Sequence, residues 1–157
     1  MSYATGAPQT AELIESVSGY MQDRLPGPDV TPQQLRDRSW WTGPDCYVLV
    51  DDYDLVATGP TNPLQPLLEY LAHGRDIGLH LVLTRRSGGA AQALYEPVIR
   101  RLRELSSPGI VLAGDRDEGP LLGAVRPGPL PPGRGWLVNR KEGVRLVQLA
   151  HLPPAPD

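Results

Sequence analysis

Residues 47–54 read Tyr47-Val48-Leu49-Val50-Asp51-Asp52-Tyr53-Asp54. Four apolar residues run without alternation and end at once on two acids. A run this short and continuous suits a strand buried on both faces, as in a parallel sheet. Such a strand carries the side chains of Asp51 and Asp52 to its carboxyl end. Open α/β sheets bind their ligands at that rim. Strands also end in polar turns simply because turns are solvated, so on these eight residues alone a site and an ordinary turn are equal alternatives.

The neighbouring sequence supports a layered α/β domain. Residues 9–24 have an amphipathic helical pattern, with Leu13, Val17, Tyr20 and Met21 on one face, and Pro26-Gly27-Pro28 stops it. Thr31 is placed to cap a second helix, with Pro32 at its first position and Gln34 three residues after the cap. Downstream of the acids, Asn62-Pro63 opens a helix whose inner side carries Leu64, Leu67, Leu68 and Leu71. Residues 79–84 form the next strand. Ser87-Gly88-Gly89 leads into a long helix ending near Leu105, which Pro97 either kinks or restarts. Residues 110–113 are a third buried strand. Residues 136–138 and 144–147, around a five-residue loop at 139–143, form a hairpin. Residues 151–157 read as a frayed end. Strand–helix–strand–helix–strand is the order of a three-layer α/β sheet with right-handed crossovers.

Composition excludes several classes. The 157 residues suit one domain, and 40% of them are hydrophobic. There is no run of 18 apolar residues and no basic-then-apolar start, so neither a membrane span nor a signal peptide is expected. The one cysteine, Cys46, excludes a disulfide framework and fits a reducing cytoplasm. A net charge of −3 gives no support to nucleic-acid binding.

An acid pair at a strand end is half of a P-loop ATPase site. There the first acid, here Asp51, sits in the Mg²⁺ shell, usually through water. The second, here Asp52, orients or deprotonates the attacking water. The other half is a Gly-x-x-x-x-Gly-Lys-Ser/Thr loop, and no such loop occurs in these residues. Ser87-Gly88-Gly89 has the right place between strand and helix but no lysine, and reads as a cap. His80 alternates with apolar residues and reads as a packed core histidine, with no second His or Cys at ligand spacing. Arg100, Arg101, Arg103 and Glu104 are a solvated helix face. Trp40-Trp41 is either an exposed docking patch or a small core under a loop. Tyr53 either lies near a base or anchors the turn after the strand.

Residues 49–54 resemble the Walker B segment of FtsK/SpoIIIE-type motors. Gly74-Arg75-Asp76-Ile77-Gly78-Leu79-His80-Leu81-Val82-Leu83-Thr84-Arg85-Arg86 is similar to their following helix-end-and-strand signature. Residues 129–136 sit where that family has a Gly-rich turn before a hairpin. Residues 25–32, 38–44, 50–55 and 72–78 resemble more specifically the last ATPase domain of EccC-like motors of type VII (ESX) secretion in actinobacteria. The likeness runs from about residue 3 to residue 154.

The resemblance implies a partial RecA-like P-loop core over residues 1–157, with a mainly parallel sheet and a C-terminal β-hairpin. It implies ATP and Mg²⁺ in the complete domain, held by Asp51, Thr84 and Arg86, with Asp52 as the catalytic acid. It also implies a cytoplasmic place in a membrane-associated secretion complex, upstream ATPase domains of the same motor as partners, and a hexamer in the full motor. The substrate would be a small helical hairpin of the WXG100 type, recognised through its C-terminal signal helix. Such a helix suits an apolar groove, for which Leu121, Leu122 and Val125 are the candidates. Two other readings stand beside this one: a degenerate docking or regulatory module that does not hydrolyse ATP, and a DNA translocase fragment.

The chain departs from the pattern in three ways. The phosphate-loop segment is expected before Tyr3, so the chain reads as a fragment, a truncated frame or a split gene product. Arg85 replaces the usual Gln. Asp52 replaces the usual Glu. The phosphate-loop strand would lie between the strands at 79–83 and 110–113. Without it, those two either pair with each other or leave open edges, and marginal stability is expected.

Overall fold

The computed structural model describes residues 2–58, 61–150 and 152. Of the expected frayed end, residues 151 and 153–157 lie outside the described residues. The chain divides into two compact units, Met1–Arg85 and Arg86–Asp157.

The first unit starts with helix α1, Ala7–Gln22. Its core-facing side differs from the expected one. Ile14 and Met21 are buried, and Leu13 and Val17 are partly so. Tyr20 is exposed, because its ring lies over the guanidinium of Arg24 and its hydroxyl accepts from that group. Helix α2, Pro32–Asp37, has the expected capping box. The Thr31 hydroxyl accepts from the Gln34 amide at 3.3 Å, and the Gln34 side chain accepts from the Thr31 amide at 2.9 Å.

Strand β1, Cys46–Val50, pairs in parallel with β2, Leu79–Leu83, in a register that sets Val50 beside Leu83. Between them lie a short helix α3, Tyr53–Val56, a 3₁₀ turn at Gln65–Leu67, and helix α4, Gly74–Ile77. The α-helix expected from Asn62-Pro63 is therefore absent. Pro63 and Pro66 lack N–H groups. The segment instead winds through i→i+3 bonds, such as Gln65 N to Asn62 O at 3.0 Å and Leu67 N to Leu64 O at 3.0 Å. Its leucines still reach the core: Leu64 and Leu67 are buried, and Leu68 and Leu71 partly so.

One face of the parallel pair packs on α1 and this irregular segment. Met21, Tyr70, Ile77 and Leu79 form the cluster, with Val17, Leu25, Trp40, Cys46 and Val48 against it. Burial on both faces of β1, expected from its unbroken apolar run, does not occur. Tyr47 is 63% exposed, Leu49 71% and, across the pair, Val82 50%. Among the described residues of the first unit, no layer covers that side. His80 also lies on it, so it is not a core histidine. Its ring stacks on Tyr47 at 4.5 Å, and its Nε2 lies 2.9 Å from Asp45.

Arg24 closes the amino end of the sheet. Its side chain is almost fully buried, donating to Ile77 O at 2.9 Å and Pro44 O at 2.8 Å, with Trp41 stacked 4.0 Å from it. Trp40 donates to Arg24 O at 2.8 Å and Trp41 to Asp76 O at 2.8 Å. The two tryptophans thus build a core rather than a free patch.

The second unit holds α5, Ala90–Ala93, and α6, Pro97–Glu104, so Pro97 restarts the helix. On α6, Glu104 pairs with Arg100 at 3.7 Å and Arg101 at 3.5 Å, as a solvated face should. Strand β3, Gly109–Val111, pairs antiparallel with β4, Arg134–Asn139, which pairs antiparallel with β5, Gly143–Gln148. This corrects the expectation of a mainly parallel sheet and decides between the two alternatives for the strands at 79–83 and 110–113 in favour of open edges. The described sheets are one parallel pair and one antiparallel triplet, not a mainly parallel sheet. Among the described residues β2 and β3 do not pair, and β2 pairs only with β1. The hairpin strands also run further than expected, because pairing continues to Asn139 opposite Gly143. Gly143, at φ +75°, takes the left-handed turn position, and the Asn139 side chain accepts from the Lys141 amide at 2.9 Å.

Candidate functional site

Asp51 and Asp52 follow β1 at its carboxyl end, where the chain stops being extended and α3 begins. Both are exposed. Thr84 follows β2 at the same end, opposite them. The pair does not splay there, because Thr84 is bonded to each of the residues from Val50 to Tyr53. Its amide donates to Val50 O at 2.9 Å, and its carbonyl accepts from the Tyr53 amide at 2.8 Å. Its hydroxyl donates to Asp51 Oδ1 at 2.6 Å and accepts from the Asp52 amide at 3.1 Å. Asp51 Oδ1 receives a second, longer bond from the Asp52 amide at 3.2 Å.

Asp52 takes a left-handed backbone, φ +46° and ψ 55°. Aspartate tolerates this region better than most residues with a Cβ. The turn matters because it reverses the chain directly after Asp51, and the strand's last carboxylate is left at the rim. Tyr53 anchors the reversal. It is fully buried, and its hydroxyl lies 2.5 Å from the donating amide of Asn62. Of the two roles open to Tyr53 in the sequence, the structure bears out the anchoring one.

The donor set suits a small hard cation only in part. Mg²⁺ keeps several waters and takes one or two carboxylates, the remainder coming from substrate phosphates. One oxygen of Asp51 is engaged with Thr84 and Asp52, while no hydrogen bond reaches its Oδ2 among the described residues. No group of three or more His, Cys, Asp or Glu side chains is placed to hold a metal by itself, again among the described residues. The arrangement fits a water-mediated Mg²⁺ contact and does not fit a closed protein cage.

The remaining sequence candidates lie in the second unit. Arg86 is its first residue and is exposed. Leu121, Leu122 and Val125 form a tight turn, with Leu122 and Val125 bridged antiparallel and Leu121 N donating to Val125 O at 2.9 Å. All three are partly buried, and the Leu122 side chain packs over Gly109. The glycine-led start of α5 is occupied from within. The Glu118 carboxylate accepts from the Gly89 amide at 2.7 Å and the Ala91 amide at 3.2 Å. The sequence reading of Ser87-Gly88-Gly89 as a cap is right, but the acid that completes it lies 29 residues on and no local pattern marks it.

A parallel strand pair with two carboxylates at its carboxyl rim is an α/β arrangement, and the likeness to solved EccC ATPase structures makes it P-loop-ATPase-like. No family model matches the chain. It is 52% identical over 151 residues to the ESX secretion system protein EccC of Thermomonospora curvata, covering 96% of this chain and 11% of that protein. It is 54% identical over 152 residues to the ESX-4 secretion system protein EccC4 of Mycobacterium tuberculosis, covering 97% and 12%. Among solved structures, the cytoplasmic domain of the T. curvata type VII secretion ATPase EccC superposes with a TM-score of 0.90 at 51% identity, over 96% of this chain and 18% of that one. T. curvata EccC (ATPases 2 and 3) in complex with a signal sequence peptide gives 0.90 at 52%, over 96% and 27%. The chain is an EccC-like ATPase-domain segment, spanning about a tenth of the length of the curated relatives it matches.

Proposed function

We propose that residues 1–157 form part of the last ATPase domain of an ESX secretion motor and supply the acidic side of its nucleotide site. One observation carries this reading: the Asp51 carboxylate stands at the carboxyl rim of a parallel pair, fixed there by Thr84. In the complete domain Asp51 would hold Mg²⁺ through water, and the ion would neutralise charge on the phosphates of ATP. Asp52 would orient the attacking water, and Arg86 would contact phosphate. The parallel pair would belong to a three-layer RecA-like core. The motor would be cytoplasmic at this domain, linked to upstream ATPase domains, and hexameric when assembled. No helix among the described residues is long and apolar enough to cross a membrane.

The substrate side is also a proposal. The structure of T. curvata EccC (ATPases 2 and 3) in complex with a signal sequence peptide supports signal recognition by the motor to which this chain would belong. We assign the docking surface to the turn of Leu121, Leu122 and Val125. A second place is favoured by its shape: a cleft of about 320 Å³ in the first unit, walled by Pro26, Leu35, Trp40 and Ile77. Fluorescence anisotropy of a labelled WXG100 C-terminal peptide separates the two. Loss of binding in Leu122→Asp supports the turn, and loss in Leu35→Asp alone moves the site to the cleft.

A docking or regulatory module without hydrolysis is the competing class. It is favoured by Arg85 in place of Gln and by Asp52 in place of Glu. Phosphate release by the purified chain tests it. We expect none above background. Mg²⁺-dependent turnover abolished by Asp51→Ala would overturn that expectation.

A further inference from the structure

We infer that Thr84 is a positioning residue, which ties the carboxyl ends of the two parallel strands and aims the free oxygen of Asp51 out of the rim. This rests on the proposal that the rim faces Mg²⁺, and it assigns Thr84 a different task from touching nucleotide.

The hydroxyl of Thr84 has one proton to donate and accepts readily. Its proton goes to Asp51 Oδ1 at 2.6 Å, and it accepts the Asp52 amide at 3.1 Å. A hydroxyl so engaged is poorly placed to donate to a phosphate as well. Its two bonds have a joint effect. One selects which Asp51 oxygen points inward and so leaves Oδ2 for an incoming ligand. The other stabilises the left-handed turn at Asp52, φ +46°, which has no side-chain cap of its own. The backbone of Thr84 adds two more bonds, to Val50 and Tyr53. Carboxylate orientation by a neighbouring donor commonly changes metal affinity by about 10–100-fold.

The arrangement is tested with Mn²⁺ alone, as a paramagnetic stand-in for Mg²⁺, on the ¹³C,¹⁵N-labelled chain. Thr84→Val keeps the shape and removes the hydroxyl, whereas Thr84→Ser restores it; Thr84→Ala repeats the removal should valine disturb folding. We expect the Val variant to move the Asp51 carboxyl ¹³C signal and speed exchange of the Asp52 amide. Core methyl signals of Met21 and Ile77 should stay in place. The Mn²⁺ concentration that broadens Asp51 should rise about tenfold, and serine should recover all three readouts. An Asp51 signal and Mn²⁺ response unchanged in Thr84→Val overturn the inference alone, provided Asp51→Asn abolishes broadening. Broadening that survives Asp51→Asn sinks the Mg²⁺ reading of the rim and the inference with it, and if the unaltered chain shows no broadening, an Asp51 carboxyl signal unmoved in Thr84→Val still overturns the inference.

Discussion

Adding one methyl group at Gly78 disturbs the first unit in two separable ways. The backbone there has φ +70° and ψ 32°, a left-handed position that terminates α4. A residue with a Cβ pays about 1–2 kcal/mol to adopt it. The second effect is steric. A Cβ at Gly78 would lie 2.7 Å from Asp45 Oδ1, 2.7 Å from the Trp41 ring and 3.1 Å from the Arg24 guanidinium. Trp41 is held in place by its bond to Asp76 O and by its stacking on Arg24. Overpacking a site of this kind costs about 1–3 kcal/mol. The sum, about 2–5 kcal/mol, is a large share of a typical domain's stability. Urea unfolding, followed through Trp40 and Trp41 fluorescence, measures it. With a slope of about 1–3 kcal/mol per molar urea, the midpoint should fall by about 1 M or more. Gly78→Asn separates the two effects, because asparagine tolerates the left-handed region but still carries a Cβ. The Asn variant should recover part of the loss and remain destabilised by about 1 kcal/mol or more. A Gly78→Ala chain within about 0.5 kcal/mol of the parent would refute the close approach and the backbone argument together.

Three further outcomes are expected. Burial raises the Cys46 thiol above its ordinary value, with nearby Arg24 a smaller opposing influence. Thiolate then forms later in the folded chain than in the unfolded one, so stability should decline as pH rises past the unfolded thiol's range; alkylation of the native chain that keeps pace with a denatured control at mildly alkaline pH would contradict this. Replacing Glu118 with glutamine should cost about 1 kcal/mol in the second unit, because two amides at the start of α5 lose a charged acceptor; an unchanged melting curve would argue against the cap. Titrated with duplex DNA at moderate salt, the chain should not bind tightly, given its net charge of −3, and tight binding would revive the translocase alternative.

Much of the first unit was legible because its signals are local. The Thr31–Gln34 box and the apolar run ending at Asp51 each depend on a few adjacent residues. The misreadings came from non-local causes. An apolar run does not encode how many of its faces find a partner, so β1 read as fully buried although Tyr47 and Leu49 are open. Nor does it encode strand direction, and β3 turned out antiparallel to β4. The leucine spacing after Asn62 has a helical period, but Pro66 removes a donor that an α-helix would need, and the same leucines reach the core through a tighter winding. Arg24 is the last residue of the stretch with an amphipathic helical pattern, and nothing local marks it as buried. Its burial depends on carbonyls of Pro44 and Ile77 and on the ring of Trp41, none of them near it in sequence. At the rim, the residue types were readable and the bonding was not: Thr84 stands 33 residues from Asp51, and only the parallel register brings them together.

That register also links the stability of the strand pair to the geometry of the rim. β1 and β2 form a two-stranded parallel sheet with one bare face, an arrangement that is marginal in water without further layers. The bonds that close its carboxyl end are the same ones that set the Asp51 oxygen and the Asp52 turn. The Arg24 cluster and the Gly78 turn close the opposite end. A perturbation at the amino end therefore reaches the acids by letting the strands separate, with no side chain in between needing to move. On this reasoning Gly78→Ala and Thr84→Val should differ in what they disturb. The first should loosen the core and the rim together, whereas the second should release the rim while Met21 and Ile77 stay packed. A Thr84→Val chain that also loses the core signals would mean that the rim bonds hold the sheet rather than ride upon it.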